Sequence, residues 1–203
     1  MNGQAHWNEV YRTKAPDAVS WYQPTPDPSL RALDQVHASA LSAFIDVGGG
    51  ASTLVDCLIQ RGWNDLTVLD IAEPALSVAK ARLGEAASRV RWIVANIVDW
   101  IPDRQYNVWH DRAVFHFLTE ETERDAYRRA LRSGVAEGGI VIIATFAPDG
   151  PEKCSGLPVR RYDGAALAKE IGAPFAPLAQ WQETHHTPGG NAQSFTWCIL
   201  QKH

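Results

Sequence analysis

Strand and helix signals alternate along the 203-residue chain, and this alternation predicts an α/β fold built on a doubly wound, mostly parallel sheet. Three observations carry the prediction. Ala43-Phe44-Ile45-Asp46-Val47-Gly48-Gly49-Gly50-Ala51-Ser52 reads as a buried strand that ends in a glycine turn and opens a helix. Leu66-Thr67-Val68-Leu69-Asp70 is a second apolar, β-branched run, and it ends in a carboxylate. Thr187-Pro188-Gly189-Gly190-Asn191 joins two strand-like runs, 178–186 and 194–201, as the turn of an antiparallel C-terminal hairpin.

The glycine turn comes first because its physics is specific. Glycine takes positive φ and admits a ligand close to the backbone, while the first free N–H groups of the next helix offer a partly positive rim. Ser52 can cap that helix, which runs through Thr53, Leu54, Val55, Asp56, Cys57, Leu58 and Ile59 and stops near Gly62. Three glycines in a row also mark ordinary loops, so the next strand has to discriminate. Asp70 lies about 20 residues past the glycines, where an acid can accept both ribose hydroxyls of an adenosine. Its alternative is to cap the helix spanning 73–83, which has Pro74 in its first turn and Gly84 after its last. Asp46 narrows the ligand further. A carboxylate would repel a pyrophosphate, whereas it suits the amino group and sulfonium of S-adenosylmethionine.

The remaining elements follow in order. Val90-Arg91-Trp92-Ile93-Val94 is a third strand, 106–110 a fourth and 139–145 a fifth. Between the last two, 120–132 is a helix with acids in its first turn and Arg128, Arg129 and Arg132 near its end, which matches the helix dipole and reads as a solvated face. One more helix covers 163–170. Ahead of the first core strand, residues 1–42 form an extension of the same domain. It carries Trp7, Tyr11, Trp21 and Tyr22, then Pro24-Thr25-Pro26-Asp27-Pro28, then a predicted helix over 29–40. Residues 43–203 make up the main domain.

Asp46-Val47-Gly48-Gly49-Gly50-Ala51-Ser52, Val68-Leu69-Asp70-Ile71, Ala95-Asn96-Ile97, the run from Tyr106 through His110-Asp111-Arg112 to Leu118, and Gly138-Gly139-Ile140-Val141-Ile142-Ile143 together resemble the ordered motifs of class I S-adenosylmethionine-dependent methyltransferases. The resemblance spans about two thirds of the chain; its departure is Ser52, where such families often carry a third spaced glycine. It implies a Rossmann-like, doubly wound sheet of seven strands, mostly parallel, closed by the antiparallel C-terminal hairpin. It implies S-adenosylmethionine as cofactor, held by Asp46, Gly48, Gly49, Gly50, Ser52, Asp70, Ile71, Asn96, Ile97 and Asp111. Asn96 resembles the polar residue that meets the adenine amino group, and its alternative is a turn former. His110 and Asp111 border the methionine end and the acceptor, and either can orient or deprotonate a nucleophile. The N-terminal aromatics, Trp21 among them, are expected to fold over the cofactor and wall off the acceptor; alternatively they pack on the outer face of the sheet.

The rest of the acceptor pocket is expected from His116, from the long turn-rich loop with Cys154, and from His185. His116, between two phenylalanines, is otherwise an interior residue, and the pair His185-His186 otherwise marks alternating strand faces. Cys57, Cys154 and Cys198 raise the alternative of thiol-bound metalloid methylation, which needs the thiols to converge. No Cys or His spacing suggests a structural metal.

Composition limits the partners. With 45% apolar residues the chain can bury the core of one domain without disulfides. A net charge of −4 without a basic block argues against nucleic acid. No run approaches the length of a spanning helix, no leader pattern opens the sequence, and three unspaced cysteines suit a reducing cytoplasm. The expected acceptor is a small molecule, with a protein lysine as alternative; a non-catalytic cofactor-binding subunit is the remaining reading. Oligomeric state is left open.

Overall fold

The computed structural model describes residues 3–203, and Met1 and Asn2 of the N-terminal extension lie outside the described residues. Apolar runs become the parallel strands Phe44–Val47 (β1), Leu66–Asp70 (β2), Val90–Val94 (β3), Tyr106–Arg112 (β4) and Val135–Phe146 (β5). A small hairpin, Lys153–Cys154 (β6) with Leu157–Pro158 (β7), interrupts the loop after β5. Phe175–His186 (β8) and Ala192–Lys202 (β9) return antiparallel. The main sheet has seven strands in the order β3-β2-β1-β4-β5-β9-β8, the doubly wound, mostly parallel architecture with its antiparallel hairpin.

The helices are Gly3–Thr13 (α1), Asp27–Gln35 (α2), Leu54–Gln60 (α3), Glu73–Leu83 (α4), Glu121–Gly134 (α5) and Gly164–Ile171 (α6). They cover both faces because the central strands are apolar on both. On one face Leu30, Leu33, Leu54, Leu58 and Leu76 of α2, α3 and α4 pack with Phe44, Val68, Val108 and Trp197. On the other, Tyr127, Leu131, Leu167 and Ile171 of α5 and α6 pack with Ile45, Trp109, Val141 and Leu200.

Some boundaries differ from the sequence reading, each for a local reason. The helix expected over 29–40 is α2, which starts two residues earlier with Pro28 in its first turn and ends at Gln35. His37 takes φ +49, Ala38 N–H bonds to Leu33 O and His37 N–H to Asp34 O, the pairing of a Schellman stop. Histidine at the left-handed position gives no sequence signal. The N-terminal aromatic segment, left without an assigned element, contains α1. The arginines of α5 are not all a solvated face: Arg128, with the buried Arg124, reaches Glu170 of α6 at 2.6 and 3.0 Å respectively, so these cations clamp α6 onto α5, while Arg129 and Arg132 are exposed.

Candidate active site

Strand order reverses between β1 and β4, which leave the sheet centre in opposite directions, and a crevice opens beyond their carboxyl ends, where ligands of such sheets bind. It holds a cavity of ≈ 330 Å³, within the roughly 300–1,000 Å³ range of small-molecule sites. Its floor is Val47, Gly48, Leu69 and Asp70; one end is Ile71, Asn96, Ile97 and Val98; the other is Phe117, Leu118, Cys154, Leu157 and Pro158. A smaller cavity of ≈ 70 Å³ adjoins it, bounded by Ser29, Asp46, Gly49, Ser52, Thr53 and His110. Gly48, Tyr11, Trp21 and Arg112 line both.

The glycine turn is dictated by close packing. Gly48 has φ +69, and a Cβ there would collide with the Val114 side chain. Gly50 has φ +43, with a would-be Cβ 2.9 Å from Asp70 Oδ2 and 3.2 Å from Tyr11 Oη. Gly49 lies over the Asp46 carboxylate, a Cβ there falling 2.6 Å from Oδ2. The turn thus runs directly over two acids, which only bare backbone permits. Ser52 lines the smaller cavity and its Oγ accepts from Leu54 N–H at 3.1 Å, but it is not the cap expected: the N-cap of α3 is Thr53, whose side chain makes no cap bond. Gly50 lines neither cavity; it orients Asp70.

Asp70 is 6% exposed and its Oδ1 accepts from Ala72 N–H at 2.7 Å. Burial pushes its carboxyl up to about 7, against the opposing pull of the Ala72, Gly50 and Ile71 N–H groups. The cap and the ribose readings are therefore compatible: backbone donors fix the carboxylate, and its acid face lines the larger cavity. Tyr11 stays a protonated phenol, pushed up by burial and by Asp70. Ile71 and Ile97 offer apolar walls. Asn96 serves its own turn, its Nδ2 donating to Asp99 Oδ2 at 3.1 Å and its Oδ1 accepting from Val98 N–H at 3.4 Å, while the residue also lines the larger cavity.

The polar residues expected to do chemistry divide sharply. His110 borders the smaller cavity, but Nδ1 meets Asp46 Oδ1 at 2.7 Å and Nε2 meets Ser29 Oγ at 2.9 Å, so neither ring nitrogen faces an acceptor. Asp111, expected at the cofactor and as base, lines neither cavity and is fully buried. Its oxygens accept from Val114 N–H at 2.9 Å, Phe115 N–H at 3.2 Å and Tyr127 Oη at 2.7 Å. It ties the turn after β4 to α5 because, one residue on from His110 along the strand, it points to the opposite face. His116 also lines neither cavity: it is fully buried, its Nδ1 accepts from Phe146 N–H at 3.3 Å, and burial and the Arg112 charge hold it down at about 3. His185 faces inward and His186 outward, but His185 Nε2 holds Ser20 O at 2.8 Å rather than lining the pocket.

Trp21 and Cys154 do reach the cavity. Burial pushes the Cys154 thiol up to about 11, so it is no thiolate. Cys154 belongs to the core on one face of the sheet, with Cys57 packed against that core, and Cys198 to the core on the other, so the three thiols do not share one site as metalloid chemistry would require.

The N-terminal segment is the roof. Trp7 packs edge-on against Phe117 at 5.1 Å and Trp21 at 5.5 Å, and Trp21 Nε1 donates to Tyr11 Oη at 3.2 Å. Arg112 completes the wall, donating from Nη1 to Trp21 O at 3.1 Å. Asp111 and Arg112 do not pair with each other, and Arg112, which the sequence reading places after the fourth strand without a role in the pocket, lines both cavities. Its signal was a cation at the carboxyl end of a central strand.

Residues 44–139 match a family model described as a methyltransferase domain, and that span contains the glycine turn, Asp70 and β4. The sheet order and its antiparallel hairpin are those of the Rossmann-like fold of class I S-adenosylmethionine-dependent methyltransferases. The chain is 30% identical over 143 residues to the ribosomal protein L11 methyltransferase of Shouchella clausii (strain KSM-K16), covering 69% of this chain and 45% of that protein. It is 26% identical over 133 residues to the trans-aconitate 2-methyltransferase of Rhodopseudomonas palustris (strain BisB5), covering 66% of this chain and 49% of that one. The chain thus spans about half the length of these relatives. Its fold is similar to that of the 1,6-didemethyltoxoflavin-N1-methyltransferase of Burkholderia thailandensis, solved with its substrate and S-adenosylhomocysteine, at TM-score 0.74 and 17% identity over 98% of this chain and 86% of that one.

The residues present fit the methyl donor. A bare glycine cradle, an oriented acid for the ribose, apolar walls at Ile71 and Ile97 and a buried acid at Asp46 match an adenosine joined to a cationic sulfonium. Among the described residues no helix is long and apolar enough to cross a membrane.

Proposed function

We infer that this protein transfers the methyl group of S-adenosylmethionine to a small-molecule nucleophile. The observation that supports this best is a single cavity running from Asp70 and Ile97 to Phe117, Cys154 and Pro158 beneath the roof of Trp7, Tyr11 and Trp21. A roofed chamber suits a small acceptor better than a lysine presented by a folded protein.

When bound, the donor supplies an activated methyl on a good leaving group. The chain's own work is positional. Asp70, fixed by backbone N–H groups, receives the ribose hydroxyls. Gly48, Gly49 and Gly50 let the backbone come close, and Asp46 beneath them favours a cationic centre. Trp7, Trp21 and Phe117 exclude water and hold the acceptor in line, which supplies much of the acceleration for such a transfer. With His110 held by Asp46 and Ser29, and Asp111 held by Tyr127, neither serves as general base; an acceptor that arrives protonated loses its proton to water.

Calorimetry with S-adenosylhomocysteine, NAD and NADP on the native chain and on Asp70→Ala tests the donor. Preferential dinucleotide binding would overturn the reading. Labelled donor with a metabolite extract and with a proteome extract then tests the acceptor. Transfer confined to protein would favour the alternative raised by the relative named for ribosomal protein L11.

A further inference from the structure

We propose that Arg112 anchors a carboxylate carried by the methyl acceptor, which makes the acceptor a small carboxylic acid. The proposal rests on the methyltransferase reading and adds the chemical class of the substrate. Its starting point is an unfilled fork. Of the three guanidinium nitrogens, Nη1 is used by Trp21 O at 3.1 Å, whereas Nε and Nη2 are buried and have no hydrogen-bond partner. These two nitrogens share one edge of the planar group, and their parallel N–H bonds match the two oxygens of a carboxylate.

Nothing in the protein fills the fork. Among the described residues no carboxylate forms an ion pair with Arg112. The nearest acids are otherwise engaged: Glu183 accepts from Trp197 Nε1 at 2.6 Å and Asp46 holds His110 at 2.7 Å. The neighbouring Cys154 and His116 are neutral, since burial raises the thiol to about 11 and depresses the imidazole to about 3. A buried cation without a counter-charge is costly, and buried polar groups ordinarily have partners. A ligand that brings the missing charge accounts for the arrangement, with the guanidinium turning its buried Nε–Nη2 edge toward the cavity that Arg112 lines.

Position decides whose carboxylate it is. Donor-binding features lie beyond β1, β2 and β3, at the glycine turn, Asp70 and Asn96. Arg112 leaves the end of β4 and turns the other way, its guanidinium 4.7 Å from the centre of the Phe195 ring on β9. It also lines the larger cavity with Cys154, Leu157 and Pro158, on the side away from the adenosine end. Arg112 also borders the smaller cavity with Asp46, Gly48 and Gly49, but its packing on Phe195 and the wall it shares with Cys154, Leu157 and Pro158 set the fork on the acceptor side, and S-adenosylhomocysteine affinity in Arg112 variants separates the two.

The experiment uses the full chain, tritiated S-adenosylmethionine and a panel of aliphatic and aromatic carboxylic acids, each paired with its methyl ester and primary amide. Arg112→Gln and Arg112→Lys are compared with the native chain, and each is also titrated with S-adenosylhomocysteine. The expected result is transfer to acids but not to their esters or amides. Arg112→Gln should raise KM for the best acid by about 50-fold and the S-adenosylhomocysteine Kd by less than about tenfold, since it also releases the Trp21 carbonyl, and Arg112→Lys should recover part of the KM loss because it keeps the charge without the fork. If Arg112→Gln does not fold, the same KM increase in smaller measure for Arg112→Lys carries the test. Three results would overturn the proposal: equal turnover of acids and their esters, transfer to none of the acids by a chain that binds S-adenosylhomocysteine, or a tenfold loss of S-adenosylhomocysteine affinity in either variant with KM unchanged, which would give the fork to the donor. Failure of the native chain to bind S-adenosylhomocysteine at all would instead overturn the underlying methyltransferase reading.

Discussion

Asp46 and His110 are register partners on the adjacent parallel strands β1 and β4, and their side chains meet at 2.7 Å between Oδ1 and Nδ1. His110 continues to Ser29 Oγ of α2 at 2.9 Å, and all three residues are buried. One imidazole thus bolts two central strands and a helix together directly under the glycine turn. The donor cradle inherits its shape from this brace.

The first prediction concerns that brace. His110→Phe leaves the buried Asp46 without its side-chain donor, and removing one partner of such a pair costs about 3 kcal/mol. Ser29→Ala removes only a hydroxyl bond and should cost about 1 kcal/mol. Urea unfolding measures both. Activity per folded molecule should fall modestly in Ser29→Ala, and a hundredfold loss of kcat there, with stability unchanged, would mark the Ser29–His110 chain as a proton path instead.

Asp111 titrates where a base would, but for a structural reason. Burial, opposed by the Tyr127 hydroxyl and the Val114 and Phe115 N–H groups, raises it to about 6 from an ordinary 3.8. The folded chain therefore holds a proton that the unfolded chain has already released. This contribution to stability is present in full below about 4 and is lost as pH rises through about 6, amounting to about 3 kcal/mol at one pKa unit per 1.36 kcal/mol. The difference in unfolding free energy between the native chain and Asp111→Asn should shrink by that order between pH 4 and pH 7 and stay flat above. kcat per folded molecule should show no matching step near 6.

Much of this was legible in advance where geometry forces residue type. The strands β2 and β3 and the helix α4 were bounded correctly because β-branched runs, Pro74 and Gly84 punctuate them, and the glycine turn announced itself because its backbone passes over Asp46 and Asp70. What failed depends on direction across the sheet. His110 and Asp111 are neighbours in sequence, yet successive side chains of a strand face opposite sides, and no spacing tells which of the two faces solvent, cavity or core. His116 and His185 were placed in the pocket for their chemistry, whereas packing turned one under Phe146 and set the other to hold the backbone of Ser20. Arg112 stood among the residues after the fourth strand without an assigned role because its value lies in what it does not contact, and an unfilled fork is visible only in three dimensions.

The roof gives the third prediction. Trp21 lines both cavities, its carbonyl is held by Arg112 and its indole by Tyr11. The Ser20 carbonyl beside it is held by His185. Trp21→Ala removes the ring but not these backbone clasps, so the segment should remain docked and the fold intact. The S-adenosylhomocysteine Kd should rise about tenfold, on the scale of one buried aromatic contact, with the melting temperature of the free protein changed by only a few degrees. An unchanged Kd would place the aromatics on the outside of the sheet, as the alternative sequence reading has it.

Donor affinity should depend on pH through Asp70. In the free protein burial holds this carboxyl at about 7, so near neutrality a large fraction is protonated and unable to accept both ribose hydroxyls. Binding favours the ionised form and must expel that proton. As pH falls from 8 to 6, one pH unit below the pKa, the Kd for S-adenosylhomocysteine should rise about tenfold, and proton release on binding should grow from near zero toward one. Calorimetry at pH 6, 7 and 8, in two buffers of different ionisation enthalpy, reads both quantities. Asp70→Asn keeps a carbonyl for the backbone donors but cannot titrate. It should bind about 30-fold more weakly at pH 8, through loss of a charge-assisted acceptor, with a Kd that no longer changes between pH 6 and 8. The same raised pKa makes the free protein lose stability as pH rises from about 4 to about 7, because the unfolded chain releases a proton that the folded chain still holds, and bound donor should offset that loss. The thermal shift produced by S-adenosylhomocysteine should therefore be larger at pH 8 than at pH 6 in the native chain and equal at the two pH values in Asp70→Asn. A pH-independent Kd in the native chain would remove Asp70 from the ribose.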